Sequence, residues 1–155
     1  MNIHLVRHAS AMPRTAHILD DIDRPLDKRG SGQAAVLAGL ALFDTVYRVL
    51  SSPALRCIET VRPLTERLQV ALETDHRLYE GGDPGFVLDL AVGASAEQGD
   101  LALCSHGDLI PEILRLATLR GAELVGQRMV EKGSVWSLSF EDGRPVSARH
   151  TPAPA

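Results

Sequence analysis

The stretch IHLVRHAS, from Ile3 to Ser10, decides the fold of this chain. A short apolar run ends at Arg7 and His8, and the small residue Ala9 follows directly. A continuous apolar run of this length is typical of a strand that is buried on both faces. The sequence therefore predicts a central strand whose end carries two adjacent polar side chains.

Two further segments repeat this arrangement of a strand followed by polar residues. VYRVLSS, residues 46–52, predicts a strand, and Pro53 fits the first position of a helix that carries Arg56 in its first turn or so. DLALCSH, residues 100–106, predicts another buried strand, with His106 at its end and an apolar helix after Gly107. Strand-to-helix junctions therefore place an arginine or a histidine at three separate points of the chain.

The remaining elements complete an alternation of strands and helices. Asp27 predicts a helix cap, Pro63 is expected to kink or split the second helix, and the closing segments suggest a hairpin around the turn EDGRP. Helices are predicted at residues 28–43, 84–92 and 108–119, and further strands at 70–73, 134–140 and 146–149. This order predicts an α/β fold, a three-layer α/β/α sandwich with a mostly parallel central sheet and an antiparallel edge.

Length and composition narrow the number of domains and the classes of protein to which this chain can belong. The 155 residues suit one domain, predicted at 1–150, with a frayed tail at 151–155. A net charge of -4 argues against a nucleic-acid partner, and no apolar run approaches the ~20 residues of a membrane span. The start of the chain lacks the features of a signal peptide, so a cytoplasmic location is expected. Cys57 and Cys104 lack a CxxC spacing and are predicted to be reduced, buried thiols; oligomeric state stays open.

The three junctions are expected to form one site. Ligands of parallel α/β sheets bind beyond the carboxyl ends of the strands, which brings together Arg7, His8, Arg56 and His106. The planar guanidinium suits a phosphoryl group, and a neutral imidazole can attack phosphorus. His4 and His8 lie on or at a strand, where their spacing gives no metal face. The sequence predicts a phosphoryl-transfer site without a metal or cofactor.

The segments LVRHA, SSPALRCIET and SHGDLI resemble the motifs of the histidine phosphatase superfamily, also called phosphoglycerate-mutase-like. The resemblance spans nearly the whole chain in the same order. It implies that His8 becomes phosphorylated and that Arg7, Arg56 and His106 bind the phosphoryl group. DDIDRPLDKRG, residues 20–30, is similar to SixA-type phosphohistidine phosphatases and to the phosphatase domain that follows a Nudix domain in some actinobacterial proteins. A SixA-type protein phosphohistidine phosphatase is therefore the first expectation.

Other positions leave the substrate open. Ala9 replaces the glycine usual in the superfamily, as is common in its short branch. Glu80, in RLYEGG, is the candidate proton donor by the same resemblance, and SixA-type relatives often lack that acid. Its presence makes a small-molecule phosphomonoesterase, acting on a nucleotide or a sugar phosphate, the alternative. Arg24 is predicted to reach the substrate or to pair with a neighbouring aspartate, and Ser10 to bind phosphate or to stabilise its turn.

Two alternatives share the same pocket. A mutase would retain the phosphoenzyme, and the short chain is expected to lack the segments that would shield it from water. A catalytically silent phospho-binding module would form no phosphoenzyme, and the intact set of arginines and histidines counts against it. In every case the expected partner is a phosphorylated substrate.

Overall fold

The computed structural model describes residues 1–14, 20–94 and 97–155. In these ranges the chain forms seven strands and four α-helices, and none of the helices is long and apolar enough to cross a membrane. The helices are α1 (Lys28–Ala38), α2 (Leu55–Leu68), α3 (Pro84–Gly93) and α4 (Leu109–Leu119). The strands are β1 (Asn2–Arg7), β2 (Val46–Ser51), β3 (Leu72–Thr74), β4 (Asp100–Ser105), β5 (Glu123–Val125), β6 (Val135–Glu141) and β7 (Arg144–Thr151).

All seven strands belong to one sheet with the order β3-β2-β4-β1-β6-β7-β5. The pairs β3–β2, β2–β4 and β4–β1 are parallel, whereas β6 runs antiparallel to both β1 and β7. This confirms the mostly parallel sheet and the antiparallel hairpin on one side of it. The short strand β5 lies outermost beside β7 and was not predicted, because three residues are too few to show a pattern.

The sheet separates the core into two clusters, one on each face, and the side chains of β4 pack into both. Leu101 and Leu103 pack into the cluster that contains the apolar residues of α3 and α4, whereas Ala102 and Cys104 pack with those of α1 and α2. Successive residues of a strand point to opposite faces, so one strand supplies both layers. The three-layer prediction is confirmed. Cys57 shares the second cluster, and both cysteines are buried and free.

The observed start of α1 agrees with the predicted one, and that of α2 agrees less closely. Asp27 caps α1 as predicted, with its Oδ1 accepting from the amide of Gly30 at 2.8 Å. α1 ends at Ala38 instead of continuing to Phe43, because the residues 41–43 form a separate 3-10 turn. α2 begins at Leu55, two residues after Pro53.

Pro63 was expected to kink or split α2, and the split is wrong, since the helix runs through this residue. Proline removes one helical hydrogen bond. Val61 and Leu64, on either side of it, are both buried in the same cluster. Packing of the same helical face before and after the proline outweighs the missing bond.

The chain after residue 150 also differs from the expected frayed tail. Thr151 still belongs to β7 and pairs with Val135. Gln33 Nε2 donates to the carbonyl of Pro154 at 3.0 Å, and Glu131 Oε1 accepts from the amide of Ala153 at 3.2 Å. These backbone partners, which composition does not reveal, hold residues 151–154 against the domain.

Substituting Gly30 with alanine should destabilise the fold. A Cβ at this position of α1 would lie 1.8 Å from the carbonyl oxygen of Ser10, which is backbone and cannot swing aside. We expect a loss of about 2–4 kcal/mol in unfolding free energy, measured by chemical denaturation. Gly32→Ala, on the open side of the same helix, is the matched control, and equal stability of the two variants would contradict this packing.

Candidate active site

Three neighbouring strands of the sheet end beside one another. The amide of His8 donates to the carbonyl of Ser105 at 3.1 Å, and the amide of Ser52 donates to that of Cys104 at 2.9 Å. These bonds extend the pairing of β1, β4 and β2 by one residue at their carboxyl ends. The residues after each strand are therefore fixed relative to one another, as the position of the motifs predicted.

His8 is buried and neutral. Its Nδ1 lies 2.8 Å from the carbonyl oxygen of Ala9, and because a carbonyl only accepts, Nδ1 carries the hydrogen and Nε2 keeps its lone pair. Burial lowers the pKa of His8 to about 3, aided by the charges of His106, Arg56 and Arg7 and opposed by the Ala9 carbonyl. The imidazole therefore offers an unprotonated Nε2 over the whole physiological pH range.

The helix of the second motif fixes the loop that follows His8. Thr60 Oγ1 accepts from the amide of Ala9 at 3.0 Å and donates to the carbonyl of Arg56 at 2.6 Å. Glu59 accepts from the amide of Leu26 at 2.9 Å. The residues around Arg56 thus position both this arginine and the backbone behind His8.

His106 faces His8, with the two ring centroids 5.5 Å apart. Its Nε2 lies 2.8 Å from Ser52 Oγ, and that oxygen accepts from the amide of Ala54 at 3.2 Å. Arg56 Nη2, which can only donate, lies 3.4 Å from His106 Nδ1, so Nδ1 is the acceptor of that bond. The ring hydrogen is then on Nε2, which donates to Ser52 Oγ. Glu80 Oε1 lies 3.6 Å from Nδ1, so this edge of the ring faces Arg56 and Glu80.

Arg56 is 0% exposed, and its guanidinium group is hydrogen-bonded to two carboxylates. Its Nη1 donates to the carbonyl of Asp21 at 2.8 Å, and its Nη2 donates to Asp21 Oδ2 at 3.1 Å and Glu80 Oε1 at 2.8 Å. Burial by itself raises the pKa of Asp21, but the charges of Arg56, Arg24 and Arg14 and a bond from Arg24 hold it below its ordinary value. Two carboxylates thus stand where a phosphate anion would bind.

Arg7 supplies the other guanidinium. Its Nη1 donates to the carbonyl of Val130 at 2.6 Å, and its guanidinium packs directly over Gly107. Among the residues that the structure describes, the buried Nε–H groups of Arg7 and Arg56 have no partner. Buried donors are almost always bonded, so two unpartnered Nε–H donors in one site indicate a missing acceptor such as a phosphoryl oxygen.

Arg7, His8 and Glu80 line a cleft of about 500 Å³, and Arg56 and His106 lie buried behind it. Glu80 lies at its side, where Oε1 also accepts from Arg14 Nη2 at 3.2 Å. The lining residues are Arg7, His8, Ala11, Met12, Pro13, Arg14, Arg24, Glu80, Gly107, Asp108 and Lys132. Cations outnumber carboxylates in this lining, although the chain as a whole carries a net charge of -4.

The structure brings together five of the predicted residues, namely Arg7, His8, Arg56, Glu80 and His106. Arg24 lines the same cleft, but its Nε pairs with Asp21 Oδ1 at 3.1 Å and its Nη1 with the carbonyl of Met12 at 2.8 Å. Of its two predicted roles, pairing with a neighbouring aspartate is the one seen in the structure.

Ser10 also has two predicted roles, and stabilising its turn is the one seen in the structure. Its hydroxyl donates to Asp27 Oδ2 at 2.6 Å, and its amide donates to Gln33 Oε1 at 3.0 Å. Both groups are directed to α1 and stabilise the turn after Ala9.

Sequence reasoning missed Asp21, Lys132 and Ser52. Asp21 is one of several aspartates in residues 20–27, and nothing in that run marks the one that reaches Arg56. Ser52 stands inside the second motif and could have been found from its place directly after a strand. Among the residues that the structure describes, no group of three or more His, Cys, Asp or Glu is arranged to hold a metal ion.

The depressed pKa of His8 should make the fold less stable in acid. Below pH 6.5 the unfolded chain binds a proton at this histidine, and the folded protein binds none until the pH nears 3. The stability should therefore fall as the pH is lowered, by about 2 kcal/mol between pH 7.5 and 5. Denaturation of wild type and His8→Gln over this range measures it. The variant should show the smaller loss, and parallel curves would contradict the assignment.

Comparison with known proteins identifies the class of this site. A family model described as "Histidine phosphatase superfamily (branch 1)" matches residues 3–83. The chain is also 30% identical over 156 residues to an 8-oxo-(d)GTP phosphatase of Mycolicibacterium smegmatis, covering 97% of this chain and 48% of the relative. The chain thus spans about half the length of this curated relative.

The chain therefore belongs to the histidine phosphatase superfamily, as its three motifs indicated. Its fold matches the histidine phosphatase SixA complexed with tungstate, with a TM-score of 0.77, 20% identity and coverage of 99% of this chain and 96% of that one. A mycobacterial glucosyl-3-phosphoglycerate phosphatase complexed with VO3 matches with a TM-score of 0.72, 16% identity and coverage of 96% of each chain. At these identities the structural likeness concerns the fold.

Proposed function

We propose that this chain hydrolyses phosphoesters in two steps through a phosphohistidine at His8. The observation that carries the proposal is the buried, neutral imidazole of His8, set beside two guanidinium groups whose Nε–H donors lack partners. A nucleophile and an anion clamp in one cleft are what phosphoryl transfer requires of a protein.

In the first step, the lone pair of His8 Nε2 attacks phosphorus, and the bond from phosphorus to the leaving oxygen breaks. The electron pair of that bond stays on the leaving oxygen, which takes a proton from Glu80. Arg7, Arg56 and His106 hold the non-bridging oxygens and stabilise their charge. In the second step, water attacks phosphorus, Glu80 takes its proton, and the phosphorus–nitrogen bond breaks to release phosphate and neutral His8.

Glu80 can gain its proton because substrate binding changes its surroundings. In the free protein its Oε1 accepts from Arg56 at 2.8 Å and from Arg14 at 3.2 Å. A bound phosphoryl group takes over Arg56 and brings negative charge next to Glu80. A neighbouring anion disfavours a second negative charge on a carboxyl group.

We infer that the substrate is a small phosphomonoester. An alkoxide leaves poorly without a proton, and Glu80 stands 2.8 Å from Arg56 and 3.6 Å from His106, within the phosphoryl site. The cleft volume also suits a small molecule. The second candidate is a phosphohistidine protein, which the similarity of residues 20–30 to SixA-type enzymes supports.

The proposal includes a cellular compartment and a domain organisation for this chain. Two buried thiols without a disulfide support a reducing compartment such as the cytoplasm. We propose that the sheet and its helices act as a single catalytic domain.

Glu80→Gln tests the acid role and the kind of substrate together. Turnover of an alkyl phosphate should fall by about 100-fold, whereas that of p-nitrophenyl phosphate should fall only a few-fold, because nitrophenolate leaves without a proton. Steady-state phosphate release measures both. Equal losses on the two substrates would contradict the acid role of Glu80.

A substrate panel separates the two candidates. Wild type is assayed in parallel on a phosphohistidine protein, on nucleotides and on sugar phosphates, with His8→Ala as the blank. His8-dependent turnover of small esters supports the first candidate, and turnover of phosphohistidine alone replaces it with the second. No phosphoenzyme and no His8-dependent release from any member would leave a phospho-binding module.

A further inference from the structure

The cleft holds more positive charge than one phosphoryl group needs. Arg7, Arg56 and His106 account for the phosphoryl oxygens in the proposed mechanism. Lys132 lines the same cleft on the side of Arg7 and has no part in that mechanism. This lysine is therefore the group whose function needs an explanation.

The backbone on both sides of Lys132 is fixed to the strand that carries the nucleophile. The carbonyl of Val130 accepts from Arg7 Nη1 at 2.6 Å. The amide of Gly133 lies 3.1 Å from the carbonyls of both Arg7 and His8 and donates to them. Lys132 stands between these two anchors, so its backbone is held beside the reacting centre, and its exposed side chain lines the cleft.

Lys132 also lacks the ion pairs that neutralise two of the other cations of the cleft. Arg14 pairs with Glu80, and Arg24 pairs with Asp21. In the part of the chain that the structure describes, Lys132 forms no salt bridge within 4.0 Å. Burial lowers the pKa of Lys132, the charges of Arg7, Arg24 and Arg56 lower it further, and the charge of Asp27 opposes them. An unpaired ammonium in a positive field is stabilised by an incoming anion.

We propose that Lys132 binds a second anionic group of the substrate, next to the phosphoryl group that is transferred. The substrate is then a small phosphoester that carries a further phosphate or carboxylate a few bonds from the reacting phosphorus. This inference rests on the proposed function for the choice of the transferred group. It adds to it the chemical class of the remainder of the substrate.

The size of the cleft agrees with this assignment. Its volume of about 500 Å³ is in the range of sites for small organic ligands and exceeds what one phosphate fills. His8 and Arg7 form the proposed phosphoryl site. Lys132 lines the same cleft, and the segment 130–133 that carries it is bonded to Arg7. An anion bound there meets an ammonium that holds no other partner.

Direct binding tests the proposal without requiring turnover. His8→Ala protein, which should not turn over, is titrated calorimetrically with orthophosphate and pyrophosphate, and with methyl phosphate and phosphoglycolate. The second member of each pair adds one anionic group, a phosphate or a carboxylate. Each titration is repeated with two double variants, His8→Ala with Lys132→Met and His8→Ala with Lys28→Met. Lys28 lies outside the cleft and serves as the control.

Lys132→Met should weaken pyrophosphate or phosphoglycolate about tenfold more than it weakens the partner that lacks the second anion, which is the equivalent of ~1.4 kcal/mol. Lys28→Met should change none of them. A response of pyrophosphate alone assigns a phosphate, and one of phosphoglycolate alone a carboxylate. Equal losses within both pairs, no loss, or no binding of any of these anions would overturn the proposal. Failure of the proposed function appears separately, as an absent phosphoenzyme on wild type.

Discussion

Replacing His8 with alanine should reduce turnover by at least ~1,000-fold and abolish the phosphoenzyme. His8 supplies the only Nε2 lone pair that the proposed mechanism uses, and no other group takes over its bond to phosphorus. Rapid quenching of wild type with a ³²P-labelled substrate should trap an acid-labile, base-stable label, as expected of a phosphoramidate. The variant should show none.

His4→Gln is the matched control for this experiment. His4 lies on the same strand and is equally buried, but it bonds to Ser137 and lies beside Asp100, away from the cleft. This variant should lose stability and keep its phosphoenzyme. Label that survives in His8→Ala would refute the nucleophile, and loss of label in both variants would show a general effect of damaging β1.

The fold and the meeting of the arginines and histidines at one edge of the sheet could be predicted because they depend on local patterns. Apolar runs that end in RH, SS and SH mark the carboxyl ends of β1, β2 and β4. Strand-helix alternation makes those strands parallel, which brings their ends to one edge. Side chains far apart in sequence, such as Arg7 and Arg56, could be placed in one site without any knowledge of the loops.

The remaining contacts depend on loops whose course no short-range pattern specifies. Asp21 reaches Arg56 across 35 positions of sequence, from a run in which several aspartates are equivalent by composition. Lys132 enters the cleft only because Val130 and Gly133 bond to the end of β1. Ser10 stood beside the nucleophile in sequence, yet its hydroxyl turns to the cap of α1. Proximity in sequence was a poor guide here, since hydrogen-bond competition decides where these groups point.

Occupation of Arg56 by carboxylates has a consequence for substrate binding. In the proposed mechanism, phosphate replaces Asp21 or Glu80 on this guanidinium, so part of the attraction between phosphate and arginine goes into separating existing pairs. Arg56 stays bonded while the site is empty, which avoids an unpaired buried charge. Its Nε–H and that of Arg7 are left for the ligand to satisfy.

Gly107→Ala should separate activity from stability more sharply than any other single change at this site. A Cβ on Gly107 would lie 2.6 Å from Cζ of Arg7 and 2.9 Å from its Nε, so the guanidinium has to move. Because the atoms in conflict are the far end of a flexible side chain, the domain can adapt at little cost in stability, within about 1 kcal/mol. The donors of Arg7 would then leave the position of the phosphoryl oxygens.

We therefore expect kcat/KM of Gly107→Ala to fall by about 100- to 1,000-fold, with a nearly unchanged unfolding free energy. A double-mutant cycle with Arg7→Ala identifies the cause. If the alanine acts by displacing this guanidinium, Gly107→Ala should cost little more once Arg7 is already absent. Independent, additive losses would mean that Gly107 serves the site in another way, and a large loss of stability would mean that the backbone rather than Arg7 yields. Gly30→Ala gives the opposite pattern, since its added methyl group meets the backbone of Ser10 and no side chain can yield.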